Sequence, residues 1–147
     1  MTIRRPLTLA RATAAAAAAA AALLLPLSAA PANAAAAPAA ALPPGVIHLE
    51  DSEPCPPATL CLYRDYGRQG PAYGIGAGYY VDLRRLPMPG GVGGPSAADN
   101  VSSWVNNTGY AALLIDEEDQ QDRPLFPGQY LEEPPPTNDT VDVVRWL

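Results

Sequence analysis

Lysine is absent from this chain, histidine occurs once, at position 48, and cysteine only twice, at positions 55 and 61. A single histidine leaves no material for a Ser-His-Asp triad or a histidine-based metal centre, and two cysteines are too few for a zinc site. Paired carboxylates are plentiful, but no spacing sets two of them across a cleft, so the sequence reads as non-enzymatic. With nine arginines against fifteen acids and no lysine, attraction to nucleic acid or to an anionic membrane surface is excluded. Apolar residues at i, i+3, i+4 and i+7 are also missing beyond the first few dozen positions, which argues against a helical fold. Gly74-Ile75-Gly76-Ala77-Gly78 imitates a phosphate-binding loop, yet Tyr79–Leu83 after it reads as a strand where that motif requires a helix. The acidic run 116–122 lacks EF-hand spacing and reads as a solvated hairpin tip.

The chain begins with a different composition. Arg4, Arg5 and Arg11 flank an apolar run, Ala14–Leu25, too short to span a bilayer comfortably, and Ala32-Asn33-Ala34 offers a small-x-small cleavage pattern. Residues 1–34 are therefore expected to be a general-secretion signal peptide; Pro6-Leu7-Thr8 fits twin-arginine export poorly. Residues 35–52 read as an Ala/Pro-rich linker and 53–147 as one domain. Past residue 34, six arginines face fifteen acids, a net charge of −9 that suits an extracellular protein or a basic partner. No membrane association is expected once the signal is removed.

In an exported domain of this size, two cysteines with five residues between them read as a disulfide, Cys55–Cys61, contributing roughly 2 kcal/mol by closing a short loop. Strands are predicted at Leu60–Tyr63, Tyr79–Leu83, Val101–Val105, Tyr110–Ile115, Gln129–Leu131 and Val141–Trp146, separated by turn residues. Internal matches suggest a duplication. Gly78-Tyr79-Tyr80-Val81-Asp82 resembles Gly128-Gln129-Tyr130-Leu131-Glu132, Leu62–Asp65 echoes Leu113–Asp116, and Asp99-x-Val101 pairs with Asp139-x-Val141. The offset falls from about fifty to forty across the Pro/Gly-rich segment 87–96, which reads as an inserted loop. A repeated unit of four short strands is a Greek key.

The Cys-x5-Cys-Leu-Tyr start, Gly70, the run Asp99-Asn-Val-Ser-Ser-Trp-Val-Asn106 and the closing Asn138-Asp-x-Val-x-x-Val-Arg-Trp146 carry a resemblance. Together they are similar to the secreted bacterial peptidase inhibitor family I36, whose members adopt a βγ-crystallin-like fold. The resemblance implies an all-β sandwich of two Greek keys built from short antiparallel strands. It also implies inhibition of an extracellular metalloprotease, thermolysin-like in type, by a rigid exposed loop of a monomeric protein. The inhibitory pattern closes that loop with a second cysteine pair in the later half, and this chain has no cysteine after Cys61. Two loops are the substitutes: the clamped one, whose Thr59, Leu60 and neighbours are expected to make the contact, and the insertion 87–95, expected to be exposed and floppy, with Met88 and Val92. The alternative is a non-inhibitory extracellular crystallin of structural or stress type.

The fold often binds calcium through paired Asn/Asp-Asn/Asp-x-x-Ser/Thr-Ser segments. The corresponding donors here are Asp99, Ser102 and Ser103 in the first half and Asn138 and Asp139 in the second. Ala98 replaces the first donor of one segment, and Asp142-Val143 the serine pair of the other, so weak or no calcium binding is expected and no other cofactor. Trp104 and Trp146, with Tyr63, Tyr66, Tyr80, Tyr110 and Tyr130, are expected to be core anchors. Asp119–Arg123 lacks the usual aromatic and glycine, which predicts a looser second hairpin.

Overall fold

A computed structural model describes residues 41–147; the expected signal peptide and the first part of the linker lie outside them. The described residues form nine strands: β1 (Val46–Leu49), β2 (Thr59–Asp65), β3 (Gln69–Gly76), β4 (Val81–Asp82), β5 (Ser103–Asn106), β6 (Ala112–Asp116), β7 (Gln121–Leu125), β8 (Tyr130–Glu132) and β9 (Val143–Trp146). Single 3-10 turns at Leu83–Arg85 and Pro135–Thr137 are the only helical elements among them. Two antiparallel sheets result, in the orders β1-β3-β2-β5-β8 and β4-β9-β6-β7.

That order is a duplication with exchange. Strands β2, β3 and β5 of the first half lie together, but the third strand of that half, β4, crosses to pair with β9. Strand β8 crosses the other way to pair with β5. Each half therefore completes the other's sheet, and the repeats seen in the sequence fall on equivalent elements. Gly78 and Gly128, which precede the exchanged strands, both have positive φ (85° and 75°), and so do Asp99 and Asp139 (58° and 55°).

Alternation along the strands builds the core. Leu60 and Leu62 of β2, Tyr73 and Ile75 of β3 and Trp104 of β5 point inward, meeting Val81, Ala112, Leu114 and Val144 from the second sheet. Burying such side chains contributes about 1.5–3 kcal/mol each. Trp104 is wholly buried, as the sequence predicts, while Trp146 packs half-buried against the core. Tyr63 is buried on the outer face of the first sheet, with its hydroxyl donating to the Glu53 carbonyl (2.8 Å). Tyr66, Tyr80, Tyr110 and Tyr130 are exposed and do not anchor the core, contrary to expectation. They lie on outward positions or connections, where a phenol is tolerated with its polar end wet.

Two further departures bear on the edges. Residues 46–49, expected to belong to the linker, form β1 and extend the first sheet by pairing with β3. The β6–β7 hairpin, expected to be loose, pairs in continuous register from Ala112↔Leu125 to Asp116↔Gln121. An acid replaces the missing glycine: Asp116 Oδ1 accepts the Asp119 N–H (2.9 Å), while Gln120 takes the left-handed conformation.

Candidate functional site

Both loops singled out in the sequence are ordered, and they lie at opposite ends of β2. The first is closed by Cys55–Cys61, with Cα atoms 5.7 Å apart. Asn107 straps it from outside: its N–H donates to the Thr59 carbonyl (2.9 Å), its carbonyl accepts the Ala58 N–H (3.1 Å), and its Nδ2 donates to the Cys55 carbonyl (2.8 Å). Those bonds hold Ala58 at φ +59°, a conformation unusual for alanine. The loop is rigid, but its side chains are not those a protease pocket wants. Leu60 is wholly buried, because its register opposite Ile75 and Asn106 turns it into the core. Thr59 is half-buried, with its hydroxyl donating to the Pro57 carbonyl (3.2 Å). The exposed tip is Pro57-Ala58. An open groove of about 450 Å³ lies beside this loop, between the strap 52–55, Tyr63, Arg68 and Asn107.

The second loop, 87–96, sits at the other end of β2, where Arg64 Nη1 donates to the Pro89 carbonyl (2.9 Å). Thr59 and Arg64 are roughly 17 Å apart at the rise of an extended strand, so one cleft of protease width does not engage both loops through one contact. The insertion is not floppy. Pro87 and Ser96 bridge its neck, the Met88 N–H donates to the Pro95 carbonyl (2.7 Å), and the Tyr73 hydroxyl donates to the Pro87 carbonyl. Met88 is wholly buried in the main core, which corrects its expected exposure: it plugs the loop to the sandwich. The loop's interior is filled by Asn100, 1% exposed. Asn100 Oδ1 accepts the Gly93 N–H (2.8 Å), and its Nδ2 donates to the carbonyls of Gly94 (3.1 Å) and Ser96 (2.7 Å). At the apex Val92 is 90% exposed, flanked by glycines.

The calcium candidates come together in a crossed arrangement. Ser102 Oγ of the first segment donates to Asp139 Oδ1 of the second (3.3 Å), and Asn138 Nδ2 donates to Asp139 Oδ2 (2.7 Å). Ser103 is not a free donor. Wholly buried, it donates to the Asp65 carbonyl (2.8 Å) and accepts the Arg68 N–H (3.1 Å), fastening the β2–β3 hairpin. Asp99 lies near Asp142, which the sequence reading counted as a lost serine and not as a carboxylate in its own right; its place three residues after Asp139 matches that of Ser102 after Asp99. Asp142 Oδ2 is already engaged by the Glu117 N–H (2.9 Å). Burial first, and then the charges of Asp142, Glu118 and Asp116, raise the Asp99 carboxyl above its ordinary range. Burial likewise raises Asp139, with the Ser102 bond opposing and the Asp65 charge adding.

Asn138 Oδ1 is a buried oxygen without a partner, but it stands alone. Among the described residues no group of three or more His, Cys, Asp or Glu side chains is disposed to hold a metal ion. Calcium takes six to eight oxygens. With both Asp139 oxygens committed to internal donors, the residues present do not fit a closed calcium site.

The model of peptidase inhibitor family I36 matches residues 50–122, a stretch containing both loops. A solved structure from work on the evolution of the eye lens beta-gamma-crystallin domain fold superposes with a TM-score of 0.51 at 18% identity, covering 69% of this chain and 96% of that one. At that identity the likeness speaks for the fold alone. Curated protein sequences give no match. Among the described residues, no helix is long and apolar enough to cross a membrane. The family match, carried on two Greek keys that exchange their third strands, makes the chain a βγ-crystallin-like, non-enzymatic member of peptidase inhibitor family I36.

Proposed function

We propose that the protein is a secreted, monomeric inhibitor of an extracellular metalloprotease and that it engages the enzyme through the 87–96 loop. The observation that carries this reading is Val92: an aliphatic side chain, 90% exposed, at the apex of a loop with a hydrogen-bonded interior. A loop already fixed in its bound shape gives up little conformational entropy on docking. Thermolysin-like enzymes accept an aliphatic side chain next to the scissile bond, and glycine on either side of Val92 lets a narrow cleft close over the backbone. Of the four loop candidates, Leu60 and Met88 are removed by burial, and Thr59 is half-buried and self-bonded. The loop is thus restrained without a disulfide, by the Met88 plug and the Asn100 amide.

The test is titration of the mature protein against thermolysin-like, serine and cysteine proteases, together with Val92→Asp. Burying a valine is worth about 1.5–3 kcal/mol, or roughly ten- to a hundredfold in affinity. Nanomolar inhibition confined to the metalloprotease and lost by at least that factor in Val92→Asp, with the melting temperature unchanged, is the expected result. Silence against all three classes returns the protein to the non-inhibitory crystallin alternative. Undiminished inhibition by Val92→Asp moves the contact to another surface.

A further inference from the structure

Resting on the Val92 reading, we infer that Asn100 is a positioning residue that makes the loop a substrate the protease binds but does not consume, with Gly91–Val92 as the bond presented for attack. Hydrolysis of that bond adds water across it, leaving a carboxylate on Gly91 and an amine on Val92. Neither new end would be released. On the Gly91 side the chain is held by Met88 in the core, by the Met88 N–H on the Pro95 carbonyl (2.7 Å), and by Arg64 Nη1 on the Pro89 carbonyl (2.9 Å). On the Val92 side Asn100 grips the Gly93 N–H (2.8 Å) and the Gly94 (3.1 Å) and Ser96 (2.7 Å) carbonyls. The two ends stay facing each other across the cut, so the reverse reaction, with loss of water, competes with escape.

Geometry at the glycines supports this role. A Cβ built at Gly91 would collide with the Asn100 amide, and one at Gly93 with the backbone of Asp99. The loop is thus drawn down onto the side chain on both sides of Val92, leaving that residue as the projecting point. Comparison of the two halves shows that the fold itself does not require an amide here. The residue after Asp139, equivalent to Asn100 after Asp99, is Thr140; it is half-buried, and its hydroxyl donates to the Thr137 carbonyl (3.1 Å). Asn100 belongs to the half that carries the insertion, and three of its bonds go to that insertion.

The experiment incubates the mature wild-type protein, Asn100→Ala and Asn100→Asp with the inhibited metalloprotease, following residual activity and the mass of the inhibitor. Asn100→Asp keeps the acceptor for Gly93 but loses all three donor bonds, to Gly94, Ser96 and Ala98. Val144→Ala, in β9 of the other sheet, controls for general destabilisation. Both Asn100 variants should be cut at Gly91–Val92 and release the enzyme with time, Asn100→Ala with an inhibition constant about a hundredfold higher; wild type and Val144→Ala should keep inhibiting. In free wild-type protein the Gly93 amide should exchange far more slowly than the Val92 amide, a readout that survives if Asn100→Ala does not fold. Asn100 variants that inhibit durably, a cut at another bond, equal cutting of Val144→Ala, or fast exchange at Gly93 would each overturn the inference. If wild type inhibits nothing, or Val92→Asp inhibits normally, it is the underlying reading that fails.

Discussion

Met88 and Val92 are apolar residues four positions apart in one glycine-rich loop, and the structure gives them opposite fates. Met88 is wholly buried among Leu86, Ala97 and the main core, while Val92 projects into solvent. Met88→Ala removes three heavy atoms from a packed interior that relaxes only partly, and core Met→Ala changes cost about 2–5 kcal/mol. The neck of the loop is held by backbone bonds to Pro95 and Ser96, so some collapse is available, and we expect a loss of about 2–3 kcal/mol. For a domain of this size each kcal/mol lowers the melting temperature by about 4–8 °C, giving a drop on the order of 10–20 °C. Urea denaturation should show a lower midpoint at an unchanged m value. Val92→Ala, by contrast, should stay within about 0.5 kcal/mol of wild type, as exposed substitutions do. A Met88→Ala loss under about 1 kcal/mol, or a Val92→Ala loss of equal size, would refute the picture of a plugged loop.

Asp99→Asn should stabilise the domain at neutral pH, read as a higher urea midpoint, because asparagine tolerates the left-handed φ while removing a charge that is partly buried and crowded by Asp142, Glu118 and Asp116. Since the folded-state pKa of Asp99 is raised, that advantage should fade as pH falls through it and vanish below the ordinary aspartate range; an advantage that grows on acidification would contradict the assignment. Glu133 is 2% exposed and accepts from Arg123 and from Trp104 Nε1 (2.8 Å). Arg123→Met would strand that carboxylate in the core and should cost about 3–5 kcal/mol in chemical denaturation, largely recovered by adding Glu133→Gln; a loss below 1 kcal/mol would show that the pair is not a buried one.

Much of this architecture was legible because β2, β4, β5, β6, β8 and β9 carry the alternation of aliphatic and aromatic residues that a two-faced strand needs. Three strands escaped. β3 contains Gly70, Gly74 and Gly76, which read as loop, yet a Cβ at Gly74 would meet the Thr59 methyl at 2.7 Å, so the glycine there admits neighbouring strands. β7 is polar and contains Pro124, as its edge position allows. β1 follows directly on the Ala/Pro tract, and nothing local marks where the linker stops. At the candidate site the cysteine pairing and the exposure of Val92 were readable, but the burial of Leu60 and Met88 was not. Leu60 is set by the phase of β2, where Cys61 takes the outer side and its neighbour must turn inward. Met88 is set by a long-range contact that no local pattern records.

Duplication explains why the insertion falls where it does. The link between the third and fourth strands spans Leu83–Ser102 in the first half and Glu133–Asp142 in the second, with both strands already committed to opposite sheets. Lengthening one link leaves the exchanged pairing intact, since β4 is fixed by β9 and β5 by β2 and β8. Loop closure adds only about 0.6 kcal/mol per doubling of length, whereas burying Met88 returns about 1.5–3 kcal/mol. The extension is therefore energetically self-supporting, and at its tip only Val92 is unconstrained: Gly91 and Gly93 pack on Asn100 and Asp99, and Gly90 and Gly94 hold positive φ (87° and 118°). A fold whose two halves each complete the other's sheet can hold its interior constant while one half presents an extended loop whose apex residue, Val92, is free to vary.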